Sequence, residues 1–274
     1  MDPQTIAEYL AFGLFGGVIG GLLGVGGSIG IIPLATIFIS PDKQQLQGAA
    51  MITNLVVAAT AYRRYSRAGQ IEWTYARRIL PAALVFVLVG VAVSTQVDAG
   101  GFRVMFAVFL AAIAIREFML LAGGHEHAEE HARELTAARG GGIGFTMGFL
   151  SGLLGIGGGV VGIPLMRAWA RIPMKRAVIT SICTMVPLTL VGATLKSITL
   201  WNTPLEGGGT ALWPTLVIAA CLAPTAIAGS WLGASINVRV TGKAVRWVLA
   251  LYLPLAAVWM AWPVIARWLA GNTH

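Results

Sequence analysis

Acidic residues are scarce in this sequence. Asp and Glu together number 11 in 274 residues, and charged residues of both signs make up only 11% of the chain. Soluble domains carry roughly 25%. So few charges cannot coat a soluble surface when 57% of residues are hydrophobic and the mean hydropathy is +0.77. The same apolar fraction excludes disorder. Cysteine is scarce too: Cys183 and Cys221 both fall in apolar runs, so a disulfide scaffold is excluded and free thiols are expected. The four histidines, His125, His127, His131 and His274, lie outside the apolar runs. No Asp or Glu sits in the middle of such a run, and Glu117 lies near the end of one. Intramembrane haem proteins and metalloproteases need buried His or acidic ligands. No cofactor, metal or enzymatic activity is therefore expected. Proton relays draw on the same groups. Coupling to H+ would fall to Glu117 or to the substrate's own proton, and coupling to Na+ held by carbonyls and hydroxyls stays open.

What is present is an all-α polytopic membrane protein. A helix needs about 20 apolar residues to cross a bilayer. Candidate segments are 11–39, 48–62, 79–95, 102–121, 141–170, 178–195, 212–236 and 245–268. The first and fifth are too long for one simple crossing, and each has a glycine cluster in its middle. The opening residues MDPQTIAEYL lack Lys and Arg, which speaks against a cleaved signal peptide. Trp73, Trp201, Trp213, Trp262 and Trp268 fall near span ends, as interface anchors do. The polar stretch 123–139 separates two halves, 1–122 and 140–274. Its HEHAEEH run has metal-like spacing but reads as a solvated linker.

The halves repeat. GLLGVGGSIGIIPL (Gly21–Leu34) aligns without gaps on GLLGIGGGVVGIPL (Gly152–Leu165) at an offset of 131, with nine of fourteen positions identical. The same offset brings 48–53 onto 179–184. Basic residues then decide the topology, because they collect on the cytoplasmic side. If all eight segments cross, the 19 Lys and Arg show no bias between the two sides. If the two glycine-broken segments enter and return on one side, only Lys43, Arg103, Lys196 and Arg267 fall opposite the other fifteen. Each half is then a re-entrant hairpin plus three transmembrane helices. Three is odd, so the repeats are inverted, with the linker cytoplasmic and both termini outside. The net charge of +8 thus reports orientation, and no nucleic-acid partner is expected.

Broken helices meeting at the midplane from inverted repeats are the pattern of secondary-transporter sites. The arms leaving the tips start near Ser28 and Gly159. Their first N–H groups lack intrahelical acceptors and carry the positive end of the helix dipole. Two such ends facing each other suit a small anion. The candidate site is therefore Gly24, Gly26, Gly27 and Ser28 with Gly155, Gly157, Gly158 and Gly159. Asn54, Thr180, Ser181 and Thr184 add polar groups from the following crossings. The competing interpretation is that the glycines serve helix packing alone. A phosphate-binding loop is excluded, since neither cluster is followed by Lys-Ser/Thr. Lys196 is expected near the outer mouth, snorkelling to the interface.

The doubled LG[VI]GG…PL signature, with Ala177–Ile182 after the second copy, resembles the TauE/SafE sulfite exporter family over nearly the whole chain. The resemblance implies an inner-membrane transporter of sulfite, sulfoacetate or related sulfur-containing or organic anions. The first half departs from the pattern: Ala49-Ala50-Met51 stands where Thr-Ser-Leu is usual. The expected partners are a small anion and the lipid bilayer. A passive anion channel and a non-transporting scaffold are the alternatives.

Overall fold

A computed structural model describes residues 1–66, 73–122, 135–205, 208–239 and 242–271. Most of the 123–139 linker and all four histidines lie outside these residues, and the side chain of Glu117 is likewise not described. The described residues form ten α-helices and no strand: α1 Pro3–Leu23, α2 Ser28–Phe38, α3 Lys43–Ser66, α4 Trp73–Gln96, α5 Ala99–Ala122, α6 Ala137–Leu154, α7 Gly159–Ala170, α8 Met174–Trp201, α9 Leu212–Arg239 and α10 Gly242–Gly271. The chain is all-α, as expected.

Both long glycine-broken segments divide into two helices, and in each the second helix runs back along the first. Phe12 and Phe38 bring their rings to 6.0 Å at the open end of the first pair. A Cβ at Gly30 would lie 3.1 Å from Gly16 Cα partway along it. In the second pair, a Cβ at Gly142 would meet the Trp169 ring at 3.0 Å, and one at Gly162 would meet Met147 Cε at 2.7 Å. The arms differ in length. α1 has 21 residues and begins at Pro3, well before the expected start at residue 11. Proline at the first helical position is pre-set for the helix and loses no bond there, so the helix extends through Gln4, Thr5 and Glu8 despite their polarity.

The helices of each half pack mostly on helices of the other. α1 lies on α9 and α4 on α6, α3 packs on α8 and α9, α4 also on α8, and α5 on α10. Exchanging each of α1–α5 for its counterpart in α6–α10 leaves this pairing unchanged. Small residues make it close. A Cβ at Gly17 would lie 2.8 Å from Ala226 Cα, and one at Gly148 would lie 2.9 Å from Ala83 Cα. Between helices in lipid there is little hydrophobic gain, so backbone approach and van der Waals contact hold the pairs.

Large apolar side chains point outward: Val89 on α4, Val108 on α5, Trp231 on α9 and Leu251 on α10 are all exposed. Polar ones point inward, with Gln47, Thr53, Asn54, Ser181 and Lys196 buried. This is the reverse of a water-soluble protein. Among the described residues, five helices are long and apolar enough to cross a bilayer: α1, α4, α5 over Ala99–Arg116, α8 and α9. α3, expected as a crossing, is not among them, because polar residues such as Gln44, Gln47, Thr53 and Asn54 lower its hydropathy; Gln47, Thr53 and Asn54 are buried, and the helix packs on α1, α8 and α9.

Candidate functional site

The site is built from the two breaks between paired helices. α1 ends on Gly24, at φ 69° and ψ 24°, and α6 ends on Gly155, at φ 74° and ψ 19°. Both are left-handed caps that a Cβ would strain. Their N–H groups donate to Gly20 O at 2.9 Å and Ser151 O at 2.8 Å. Four residues later each chain is helical again, running the other way.

The two tips touch. A Cβ at Gly26 would lie 3.1 Å from Ile156 O, and one at Gly159 would land on Gly24 O and lie 2.9 Å from Val25 Cα. No side chain fits between them. Two residues tie the tips together. Asn54, wholly buried on α3, accepts from the Ser28 N–H at 2.9 Å. Its amide donates to Ser28 Oγ at 2.9 Å and across the junction to Gly155 O at 3.0 Å. Ser181 on α8 donates to Gly24 O at 3.4 Å, reaching the opposite tip.

The structure therefore brings together Gly24, Gly26, Ser28, Asn54, Gly155, Gly157, Gly159 and Ser181. Other expected residues point elsewhere. Gly27 faces α1, where a Cβ would meet Gly16 O at 3.3 Å, and Gly158 faces Leu188 and Met147 of its own half. Thr184 donates to Ser181 O at 2.7 Å, bonding its own helix as mid-helix threonines do. Thr180 is buried.

The two helix starts are not equivalent, and here the structure corrects the expectation of a matched pair. The first N–H of α2 is occupied by Asn54. α7 starts after Gly158, at φ 81°, and among the described residues no side chain bonds its first N–H as Asn54 bonds that of Ser28. Helix geometry leaves the N–H groups of Gly159 and Val160 without intrahelical acceptors. Where Asn54 stands in the first half, the 131-residue offset puts Met185 in the second. Its methyl carbon lies 2.8 Å from a Cβ built on Gly157 and its sulfur 2.7 Å from one built on Gly159. A groove of about 410 Å³ runs beside α8, lined by Tyr62, Trp73, Arg77, Cys183 and Thr184 among others.

Lys196 departs most from expectation. It does not snorkel; it is 1% exposed. Its ammonium donates to Gln44 Oε1, to Gln47 Oε1 at 3.0 Å and to Ser94 Oγ at 3.0 Å. Gln47 in turn donates to Leu153 O at 3.0 Å, at the base of the second tip. Tertiary contact alone made this residue visible, because α3 and α4 supply neutral acceptors where a lone lysine would otherwise reach for water. Both cysteines are free, as expected.

The profile of the family described as Sulfite exporter TauE/SafE matches residues 9–260. A probable membrane transporter protein of Methanocaldococcus jannaschii is 31% identical, over 90% of this chain and 92% of its own. The probable membrane transporter protein YunE of Bacillus subtilis is 25% identical, over 90% and 93%. The probable membrane transporter protein MamO of Magnetospirillum gryphiswaldense is 25% identical over 93% of this chain but only 45% of its own length.

Proposed function

The chain belongs to the Sulfite exporter TauE/SafE family, a multi-pass membrane transporter family, and from that premise we propose that it moves a small anion by alternating access around the meeting point of its two glycine tips. The substrate class is a sulfur oxyanion or a related sulfonate or organic anion. The observation that carries this is the asymmetric junction: two helix breaks in contact, tied by Asn54, with the first N–H of one helix start held by Asn54 and the other start packed against the Met185 thioether and the opposite tip at Gly24 and Val25. Methionine is flexible and polarizable. Its swing away from Gly157 and Gly159 uncovers uncapped N–H groups at a positive helix end, the chemistry of an anion site without a basic side chain. The pairing of helices between halves supports rocking of one half on the other, as inverted repeats do.

In this reading the halves, 1–122 and 140–274, are inverted in the inner membrane. The basic-rich side is cytoplasmic and both termini lie outside. The placement of the basic residues supports it. Arg64 donates to Ser235 Oγ at 3.3 Å and Lys175 to Val238 O at 3.5 Å at one end of the bundle. Lys43 and Lys196, both from the minority side, meet around Ser94 on another part of the fold. Coupling to H+ or Na+ is left to measurement.

The test is flux of sulfite into proteoliposomes. Saturable, gradient-driven uptake supports a transporter. Non-saturating conductance would make the protein a channel, and no flux of any anion from a folded protein would make it a scaffold. Gly26→Leu and Gly157→Leu are expected to abolish flux while the protein still inserts and stays monodisperse. Full flux in both would falsify the tip site.

A further inference from the structure

Lys196 and Lys43 take no part in the tip site proposed above, yet both ammonium groups are held at the same serine. Lys43, half-buried at the start of α3, donates to Ser94 O and Val97 O, both at 2.6 Å, and its ammonium lies 5.6 Å from the centre of the Phe102 ring. Lys196 donates to Oγ of that same Ser94. Two ammonium groups thus converge on one serine. Among the described residues neither is paired with a carboxylate; Asp42 and Asp98 stand near Lys43 without contacting it. Every acceptor they use is neutral. Lys196 is buried and Lys43 half-exposed at the helix end, so the repulsion between the two like charges is offset only in part, by the nearby Asp42, which acts on both, and by Asp98.

The other half shows that packing does not require this charge. The 131-residue offset pairs Lys196 with Tyr65. Tyr65 is equally buried and makes one neutral hydrogen bond, from its hydroxyl to Gly21 O at 2.9 Å. Lys43 pairs with Met174. The scaffold is satisfied by an uncharged side chain at both counterpart positions, so the cations are an addition to one side.

We propose that Lys196 and Lys43 form a second anion-binding station, for a small oxyanion of the sulfite class, on the path to the glycine tips. It rests on the anion-transport reading given above. Gln47 connects the two places. Its carbonyl oxygen on the amide side chain accepts from Lys196, while its amide nitrogen holds Leu153 O, two residues before Gly155. Gln47 lies about 10 Å along α3 from Asn54, at 1.5 Å per residue. An oxyanion arriving between the two ammonium groups replaces the neutral acceptors of Lys196 with charge-assisted bonds, which are the stronger kind. That frees Gln47, whose contact with the tip then loosens.

The experiment uses the full chain in dodecyl maltoside without phospholipid, so that no headgroup phosphate competes. Thermal unfolding is followed against sulfite concentration, with sulfite flux measured separately in proteoliposomes. Lys196→Met is expected to raise the sulfite concentration for half-maximal stabilisation roughly 10- to 100-fold, the scale of one lost charge-assisted hydrogen bond. Lys43→Met sits where exposure tolerates it and is expected to give a smaller rise in the same direction. It carries the test should Lys196→Met not fold. Unchanged half-saturation in the folded variants overturns the station, even with wild-type flux intact. Phospholipid vesicles that stabilise the protein in place of sulfite, with no effect of sulfite alone, would overturn it in favour of a headgroup site. Absent flux with lysine-dependent sulfite binding would sink the transport reading and leave the station standing.

Discussion

Asn54→Leu isolates the tie between the two tips. The side chain has no exposed surface and makes three hydrogen bonds, at 2.9, 2.9 and 3.0 Å. Leucine keeps the branched, four-heavy-atom side chain, so no cavity opens; its methyls are bulkier than the amide and add some crowding, but the main cost is polar. Each lost bond is worth about 1 kcal/mol net, and a buried donor or acceptor left unpaired costs about 1–3 kcal/mol. Ser28 Oγ can turn to its own helix, but the Ser28 N–H and Gly155 O cannot move to new partners. A gain from the apolar side chain offsets part of this. The sum is about 3 kcal/mol, or roughly two orders of magnitude in the unfolding equilibrium. The assay is unfolding by SDS in mixed micelles, with Met185→Leu as the partner variant. That swap at the symmetric position conserves volume and removes no hydrogen bond, so it is expected to cost less than about 1.5 kcal/mol. Sulfite flux is expected to vanish in Asn54→Leu and to persist, slowed, in Met185→Leu. Equal stability of the two variants, or wild-type flux in Asn54→Leu, refutes the assignment of Asn54 as the tie.

Two further predictions concern packing and access. Gly148→Ala places a methyl on the Ala83 carbonyl and 2.9 Å from Ala83 Cα. Both contacts are backbone, so α4 and α6 must separate, at a cost of about 1–3 kcal/mol; Gly141→Ala, with nothing within 4 Å, is expected to stabilise by about 0.5–1 kcal/mol, and the order of the two by SDS titration checks the ladder. A thiol reagent on Cys183, in a Cys221→Ser background, fills the groove shared with Tyr62, Arg77 and Thr184 and is expected to block sulfite flux. Complete labelling with full flux would show that this groove takes no part in transport.

Much of the fold was readable before any coordinates. Composition set the class, because scarce charge and a high apolar fraction leave few other solutions. The repeat of Gly21–Leu34 in Gly152–Leu165 marked both breaks, since glycine at fixed spacing is what a reversing chain needs. The length of α1 was misread because a proline at its first position overrides the polarity of the residues behind it. The sequence marks 48–62 as a crossing that carries Thr53 and Asn54. It is polar and buried within the bundle, and a hydropathy pattern cannot tell lipid from neighbouring helices. Thr184 belongs to the candidate set because the crossing after the second tip supplies hydroxyls; which way a hydroxyl turns is not written in the sequence, and this one bonds Ser181 O of its own helix.

By itself the sequence determined that this is a helical membrane protein with two glycine-broken, repeated halves, because periodicity, composition and repetition are properties of the chain. Tertiary structure decided what the breaks are for. Closely similar glycine clusters lead to unlike helix starts, one bonded by Asn54 and one packed against Met185, because these residues, each 26 positions beyond its helix start, fold back over them. It also decided the place of Lys196. A lysine near a span end has two solutions, water or internal acceptors, and the choice depends on Gln47 and Ser94. These lie 149 and 102 residues away in sequence and reach it only when three helices pack.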